Sequence, residues 1–213
     1  MPMNKAILAL AIASLASAQT INQLTPHNVK AESVDYKGKH AIKLLETGDV
    51  ANGEAYAVVK GAAFHNGEIE VEIAGLPAGG AVAAARGFIG VGFRLNDGKF
   101  EYIYLRPTNG RADDQVRRNH STQYSSHPNF SYAASRAEAP EKYESYVDLE
   151  PGAWTRVRIT VEGTKARLYV HGAPQPCLIV NDLKLGDANG GVLLWIGPGT
   201  EGYFTGLQVR NAK

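Results

Sequence analysis

The chain has 213 residues, and its 22 Lys and Arg nearly balance its 21 Asp and Glu, which gives a formal net charge of +1. This balance provides no general electric field that would attract nucleic acid or an anionic membrane, so we expect no nucleic-acid partner. No segment of the chain is long and apolar enough to span a bilayer, so we expect no membrane insertion. Cys177 is the only cysteine, which excludes an internal disulfide and a zinc site built from cysteines.

The first 18 residues have the pattern of a secretory signal peptide. Lys5 gives a short basic start, an apolar run follows from Ala6 to Leu15, and small residues occupy positions 16 to 18. The apolar run is shorter than the roughly 20 residues that a membrane-spanning helix needs. Cleavage near Ala18 therefore predicts an exported protein, periplasmic or extracellular, with a single domain over residues 19–213.

Beyond residue 25, apolar and polar side chains alternate with period two in short runs that end at Gly, Asn, Asp or Pro. This pattern is typical of antiparallel strands and predicts an all-β sandwich of two antiparallel sheets. The predicted strands are Val29 to Asp35, Ala41 to Leu45, Ala55 to Val59, Glu68 to Ala74, Gly87 to Leu95, Phe100 to Arg106, Trp154 to Glu162, Ala166 to Val170, Leu178 to Asn181, Val192 to Ile196 and Tyr203 to Arg210. The Gly- and Ala-rich stretch from Leu76 to Arg86 predicts a surface loop between two of them.

Three carboxylates, Glu68, Glu70 and Glu72, lie on one face of the predicted strand that follows Gly67. Neighbouring carboxylates can divide the roles of acid and nucleophile in a glycosidase, because like charges raise one another's pKa. Glu70 and Glu72 are therefore candidate catalytic residues. The alternative, which the alternation favours, is an ordinary strand with one face in solvent.

The hairpin from Gly87 to Arg106 has a second unusual face. Its aliphatic residues, such as Ile89 and Val91, alternate with a set that we expect to point away from the core: Phe88, Gly90, Gly92, Arg94, Phe100, Tyr102, Tyr104 and Arg106. Aromatic rings stack on sugars, so Phe88, Tyr102 and Tyr104 are candidates for stacking, with the two glycines leaving room for a sugar ring. Guanidinium groups bind hydroxyls, so Arg94 is a candidate ligand-binding residue. In the alternative interpretation, the rings pack beneath a loop and the glycines relieve crowding.

A long polar segment runs from Pro107 to Glu144 and shows little alternation, so we expect a long loop. Such loops in compact domains are usually functional. The candidate ligand-binding residues on and beside this segment are Arg106, Asn109, Asp113, Asp114, Arg117, Arg118, Asn119, Gln123 and Tyr124. His120 is a candidate general base. Alternatively, these acids and bases pair with one another and fix the loop. We expect no cofactor; calcium at Asp113 and Asp114 is the alternative.

Four segments carry a resemblance to a known superfamily: FHNGEIEVEIAG, GFIGVGFRLNDGKFEYIYLRP, WTRVRITVEGTKARLYVHG and GGVLLWIGPGTEGYFTGLQV. They resemble the concanavalin A-like lectins and glucanases, including laminin-G-like modules and 3-keto-disaccharide hydrolase-like domains. The resemblance implies a jelly-roll sandwich with one concave sheet that usually bears the ligand. The carboxylate run resembles the E-I-D-I-E motif of laminarinase-like and lichenase-like glucanases, although Glu70 replaces the central Asp and no Trp precedes the run.

Three functions are compatible with these patterns. The first is an exported carbohydrate-binding protein that holds its ligand on the concave sheet face and the 107–144 loop. The second is a glycoside hydrolase or lyase acting on a glucan or a 3-keto-glycoside. The third is a non-catalytic protein-interaction or envelope scaffold module, since a fold alone does not define an activity.

Overall fold

The computed structural model describes residues 20–48, 50 and 53–212. The predicted signal peptide at residues 1–18 lies outside this range. The described chain forms two antiparallel sheets of seven strands each, which confirms the predicted all-β jelly-roll sandwich. No helix in the described ranges is long and apolar enough to cross a membrane.

The strands and helices are numbered in chain order. The strands are β1 (Leu24–His27), β2 (Val29–Tyr36), β3 (Lys39–Glu46), β4 (Tyr56–Phe64), β5 (Gly67–Pro77), β6 (Ile89–Asn96), β7 (Lys99–Leu105), β8 (Thr122–His127), β9 (Glu144–Ser145), β10 (Thr155–Glu162), β11 (Lys165–Val170), β12 (Leu178–Val180), β13 (Gly190–Ile196) and β14 (Thr200–Asn211). Two helices, α1 (Gln115–Asn119) and α2 (Tyr132–Glu138), and two 3-10 helices, Ile21–Gln23 and Pro107–Asn109, complete the described chain. Sheet A has the order β1-β4-β13-β6-β7-β8-β9, and sheet B has the order β12-β11-β10-β5-β14-β3-β2.

The main core lies between the two sheets and is built from one face of each strand. The aliphatic face of the β6–β7 hairpin points into it, as the alternation predicts, and sheet B contributes apolar residues from β5 and β10. The core residues on these four strands are Ile69, Val71, Ile73, Ile89, Val91, Phe93, Ile103, Leu105, Val157, Ile159 and Val161. The opposite face of β5 carries Glu68, Glu70 and Glu72, so this strand divides into an apolar and a charged face.

A second apolar cluster covers the outer face of sheet A, which is the face turned away from sheet B. This outer aromatic cluster consists of Tyr56, Phe100, Tyr102, Tyr104, Leu193 and Trp195. The ring centroid of Trp195 lies 5.0 Å from that of Tyr102 and 4.9 Å from that of Tyr104. The rings therefore pack on one another across β7 and β13.

Gly90 and Gly92 make this packing possible, because neither position has room for a side chain. A Cβ atom on Gly90 would lie 2.3 Å from the carbonyl oxygen of Ile103 and 2.7 Å from Cα of Tyr104. A Cβ atom on Gly92 would lie 2.5 Å from Cδ1 of Leu193. The hypothesis that these glycines leave room for a sugar ring is therefore wrong, and the alternative that they relieve crowding is confirmed.

The segment from 107 to 144 is not the long loop that we predicted. It contains α1, α2 and β8, and β8 pairs with β7 through the register Leu105 with Thr122 to Phe100 with His127. The prediction missed β8 because most of its buried side chains are polar, including Gln123 and Ser125. A strand with polar residues on both faces has no apolar alternation to detect.

Arg94 points to the opposite side of sheet A from the one we predicted. The β6–β7 register shifts between Phe93 and Asn96, and Arg94 has a φ of 59°. Such a bulge reverses which face the following side chains occupy. Arg94 is consequently buried and Leu95 packs against the outer aromatic cluster instead.

We predict that Gly90→Ala lowers the free energy of unfolding by about 1–3 kcal/mol, because the backbone of β7 cannot move away from the added methyl group. Urea denaturation followed by tryptophan fluorescence measures this change. Gly79→Ala is the control, because nothing lies within 4 Å of its Cβ position. Its stability should stay within about 0.5 kcal/mol of the unsubstituted protein. Equal stability of the two variants would contradict the packing role of Gly90.

Candidate functional site

A pocket of about 620 Å³ opens on the outer face of sheet A. It lies at the end of the sheet where β6 begins and where β7 and β13 end, because Ile89 pairs with both Leu105 and Ile196. One wall is the loop of residues 78–88, and the other is the segment that follows β7. The lining residues are Val82, Ala84, Ala85, Arg86, Phe88, Tyr104, Arg106, Asn109, Asp114, Val116, Arg117, His120, Tyr132, Arg136, Trp195 and Pro198.

The floor of the pocket belongs to the outer aromatic cluster. Tyr104 and Trp195 are only 4% and 1% exposed, so a ligand reaches no more than a small part of either ring. The rim is more accessible and apolar: Tyr132 is 42% exposed, Val116 61% and Val82 72%. Tyr132 is therefore the aromatic residue of the pocket with the most surface available for stacking on a ligand.

An ion pair at the back of the pocket connects Arg106, which follows β7, to Glu144 on β9. Nη1 of Arg106 donates to Oε1 of Glu144 at 2.8 Å, and the two side chains are 6% and 2% exposed. Nη2 of Arg106 donates to the Tyr104 hydroxyl at 3.0 Å and to Oε1 of Gln123. Gln123 donates in turn to Oγ of Ser135 at 2.9 Å. This network joins the sheet to α2, which carries Ser135.

Glu144 also binds Arg136 from α2. Nε and Nη2 of Arg136 donate to the two carboxylate oxygens at 2.8 and 2.6 Å. Burial opposes the charge on Glu144, but the hydrogen bonds from Arg136 and the positive charge of Arg106 outweigh it, so the pKa of Glu144 is lowered. The carboxylate therefore stays ionised and holds two guanidinium groups at the pocket wall.

His120 follows α1 and contacts the same group of residues. Its Nδ1 lies 3.0 Å from Nη2 of Arg136, and because a guanidinium only donates, Nδ1 accepts this hydrogen bond. The ring proton is then on Nε2, which lies 3.6 Å from Oε2 of Glu144. Burial lowers the pKa of His120. The negative charge of Glu144 raises it in part, and the positive charges of Arg136 and Arg106 lower it further. His120 is therefore neutral at pH 7, and its lone pair is already bonded to Arg136.

Two further arginines line the pocket. Nε of Arg117 donates to Oδ1 of Asn109 at 2.9 Å, and its Nη2 donates to the carbonyl and hydroxyl oxygens of Thr108 at 3.2 and 3.1 Å. Nη1 of Arg86 donates to the carbonyl oxygens of Ala83 and Ala85 at 2.6 and 3.0 Å. Backbone and neutral side chains thus hold both guanidinium groups in place.

The structure brings together seven of the predicted ligand-binding or catalytic residues, all of which line the pocket: Phe88, Tyr104, Arg106, Asn109, Asp114, Arg117 and His120. Asp114 also caps α1, because its Oδ1 accepts from the backbone N–H of Arg117 at 2.6 Å. Asp113 is exposed outside the pocket lining. No group of three or more His, Cys, Asp or Glu side chains within the described ranges is arranged to hold a metal ion.

Glu70 and Glu72 lie apart from this pocket, on the outer face of sheet B. Glu70 accepts from Arg156 at 2.8 Å and from Arg210 at 3.0 Å. The hydrogen bond from Arg156 lowers the pKa of Glu70 to about 2. Burial acts in the opposite direction, and the hydrogen bond from Arg210 lowers the pKa further. Nζ of Lys39 lies 2.6 Å from Glu72. The arrangement matches the alternative of a solvent-facing strand whose carboxylates form ion pairs.

The remaining predicted residues have other surroundings. Arg94 lies at the far end of β6, about 16 Å of extended strand from Ile89, and donates to the backbone oxygens of His65, Gly163 and Gly186. Tyr124 is in the main core and donates to Glu101 at 2.6 Å. Four more predicted residues do not line the pocket. Tyr102 belongs to the outer aromatic cluster, and Gln123 lies behind Arg106. Arg118 lies beside Tyr146, and Asn119 accepts a hydrogen bond from Gln115.

Nine lining residues were not among the predicted ones, and four of these nine have aromatic or charged side chains: Arg86, Tyr132, Arg136 and Trp195. The sequence does contain a signal for Trp195. It lies between Leu194 and Ile196 on β13, so period-two alternation places it on the opposite face of that strand from these two core residues. Tyr132 and Arg136 follow Ser131, whose side chain caps α2. A Ser cap predicts the start of a helix, and residues four apart on a helix share one face, so this signal would have placed Tyr132 and Arg136 together. No sequence signal placed Arg86.

The described fold is similar to several solved structures, among them a carbohydrate-binding module and a protein with a galectin-like fold. The carbohydrate-binding module CBM66 from Bacillus subtilis superposes with a TM-score of 0.56 at 11% identity, covering 87% of this chain and 93% of that one. A Bacillus subtilis protein of unknown function with a galectin-like fold superposes with a TM-score of 0.55 at 10% identity, covering 88% of each chain. No family model and no curated protein matches the sequence. The resemblance to concanavalin A-like lectins and glucanases is thus confirmed at the level of the fold.

We predict that Glu144→Gln lowers the free energy of unfolding at pH 7 by about 3 kcal/mol or more, because Arg106 loses its buried counter-charge. The folded-state pKa of Glu144 lies below its ordinary value of 4.5, so its stabilisation is present above that pH and is lost as the pH falls through the lowered pKa. Urea denaturation between pH 3 and 7 should therefore show the largest difference at pH 7.

Glu150→Gln is the control for this prediction. Glu150 also accepts from an arginine, Arg111, but its side chain is 59% exposed. Its substitution should cost less than about 1 kcal/mol at any pH in the series. A loss for Glu144→Gln that did not change with pH would contradict the assignment of a buried ionised carboxylate.

Proposed function

We propose that this protein is an exported carbohydrate-binding protein that holds its ligand in the pocket at the end of sheet A. The observation that carries the proposal is the combination of an accessible Tyr132, partly exposed Phe88, and a row of fixed hydrogen-bonding groups along a single pocket. Its volume of about 620 Å³ is within the range of small-molecule sites in proteins.

Sugar chemistry fits this lining. A sugar ring has faces of C–H groups that pack on aromatic and aliphatic side chains, and hydroxyls around its edge that need donors and acceptors. The apolar rim of Val82, Val116 and Tyr132 supplies the first kind of contact. Asn109 and Arg136 supply donors that the surrounding hydrogen bonds already orient. Fixed donors lose little conformational entropy when a ligand binds.

The fold gives separate support. One of the structural relatives named above is a carbohydrate-binding module, although at 11% identity this likeness concerns the fold and not the residues of the pocket. The signal-like pattern at residues 1–18 supports export. A secreted sandwich with a pocket at one sheet end is compatible with capture of a saccharide outside the cytoplasm.

Binding without catalysis fits the pocket better than hydrolysis. A glycosidase needs an acid and a second carboxylate on opposite sides of the scissile bond. Asp114 is the only carboxylate among the described lining residues, and Glu144 is enclosed behind Arg106 and Arg136. His120 would have to release Arg136 before its Nδ1 could accept a proton from a substrate.

We predict that Tyr132→Ala weakens saccharide binding about 10-fold, because stacking of a sugar on one aromatic ring contributes on the order of 1 kcal/mol or more. A glycan array containing neutral and acidic oligosaccharides identifies the ligand, and isothermal titration calorimetry with the strongest binder measures the loss.

Tyr146→Ala is a closely matched control. Tyr146 is 43% exposed and has the Arg118 guanidinium 5.7 Å from its ring, whereas Tyr132 is 42% exposed and has Arg136 at 5.6 Å. Of these two tyrosines, Tyr132 lines the pocket and Tyr146 does not. The Tyr146 variant should bind as the unsubstituted protein does. Absence of any saccharide ligand, or equal binding by both variants, would overturn the proposed function.

A further inference from the structure

Positive charge is in excess in the pocket described above. Four arginines, Arg86, Arg106, Arg117 and Arg136, contribute guanidinium groups to its lining. Among the residues that the structure describes, Asp114 is the one carboxylate on the lining, and Glu144 lies directly behind it. Because His120 is neutral at pH 7, the local balance is two positive charges in excess, although the whole chain carries only +1. The excess is therefore a property of the pocket.

Arg86 and Arg117 are the two of these four arginines that have no carboxylate partner within the described ranges. Arg106 and Arg136 share the charge of Glu144, whereas neither Arg86 nor Arg117 forms an ion pair with a carboxylate in the described part of the chain. Their hydrogen bonds go only to backbone oxygens, Asn109 and Thr108. The two arginines are neighbours through Thr108, whose backbone N–H donates to the carbonyl oxygen of Arg86 at 3.3 Å and whose oxygens accept from Arg117. Burial, and then the positive charges of Arg117 and Arg106, lower the pKa of Arg86.

Donors on both side chains remain available. Arg86 uses Nη1 alone and Arg117 uses Nε and Nη2, so Nε and Nη2 of Arg86 and Nη1 of Arg117 donate to no described residue. Keeping like charges together costs free energy unless an anion binds among them. Guanidinium forks bind carboxylates and sulfates through paired, charge-assisted hydrogen bonds.

We infer that the pocket selects an anionic saccharide, one whose carboxylate or sulfate group binds between Arg86 and Arg117 while its ring packs on the apolar rim at Tyr132. This inference rests on the proposed function and specifies the class of its ligand. A sugar carboxylate and a sugar sulfate offer the same chemistry to two guanidinium groups, so the experiment has to separate these two sources of charge.

The test compares saccharides that differ only in charge. Oligomers of galacturonic, mannuronic and glucuronic acid are titrated beside their methyl esters, together with a sulfated galactan oligosaccharide and its desulfated form. We expect the charged member of at least one pair to bind about 10-fold more tightly than its neutral partner, because hydrogen bonds to charged groups are the stronger ones. The preference should decrease as salt is added.

Two variants test the assigned residues. Arg117→Gln and Arg86→Gln should each remove most of the preference for the charged member while changing binding of the neutral ester less than about 3-fold. Arg167→Gln is the matched control, because Arg167 also bonds only to backbone oxygens and an Asn side chain but lies on β11 outside this pocket. It should leave the preference unchanged.

The outcomes separate this inference from the proposed function. Neutral saccharides that bind as tightly as charged ones, with a loss in Tyr132→Ala but none in Arg86→Gln or Arg117→Gln, would overturn the inference and leave carbohydrate binding standing. Acetate or sulfate that binds as tightly as the charged saccharides would overturn both, because the sugar ring would then contribute nothing.

Discussion

The carboxylate of Glu144 holds the pocket wall together, because it accepts hydrogen bonds from one arginine on the sheet side and another on a helix. Arg106 follows β7, and Arg136 belongs to α2. Taking three charged groups out of water is costly, and the cost is offset only when geometry and further hydrogen bonds satisfy every member. The Tyr104 hydroxyl and Gln123 complete that requirement here. The position of α2, and with it the rim at Tyr132, follows from this arrangement.

The outer face of sheet A resembles a second core more than a solvent-facing surface. Tyr104 and Trp195 are almost completely buried although they point away from sheet B. Loop 78–88 and the segment after β7 cover part of this face and leave a pocket where they meet. A buried aromatic floor of this kind fixes the depth of the pocket, so its shape and charge are set by the side chains of the two walls and the rim.

Period-two alternation was enough to predict the sandwich, the core face of the central hairpin and the aromatic face opposite it. It did not predict positions that depend on a local bulge or on contacts between segments far apart in the chain. The bulge at Arg94 moved that side chain into the interior, and the strand that carries Gln123 was hidden by its polar composition. Arg86 reaches the pocket from a loop without periodicity. A sequence pattern can define faces of a strand, but not which distant segments meet over them.

The short strand β9 has a consequence for how other molecules can approach sheet A. It is two residues long, and beyond it the backbone donors of Tyr124 and Ser126 on the outermost long strand are already bonded to the carbonyl oxygens of Tyr143 and Phe130. An unpaired strand edge is a template for addition of a foreign strand, and this one offers few unsatisfied groups. The edge is thus protected against edge-to-edge aggregation, and an extended peptide would find little backbone to pair with there. Recognition on this side of the molecule must then operate through side chains.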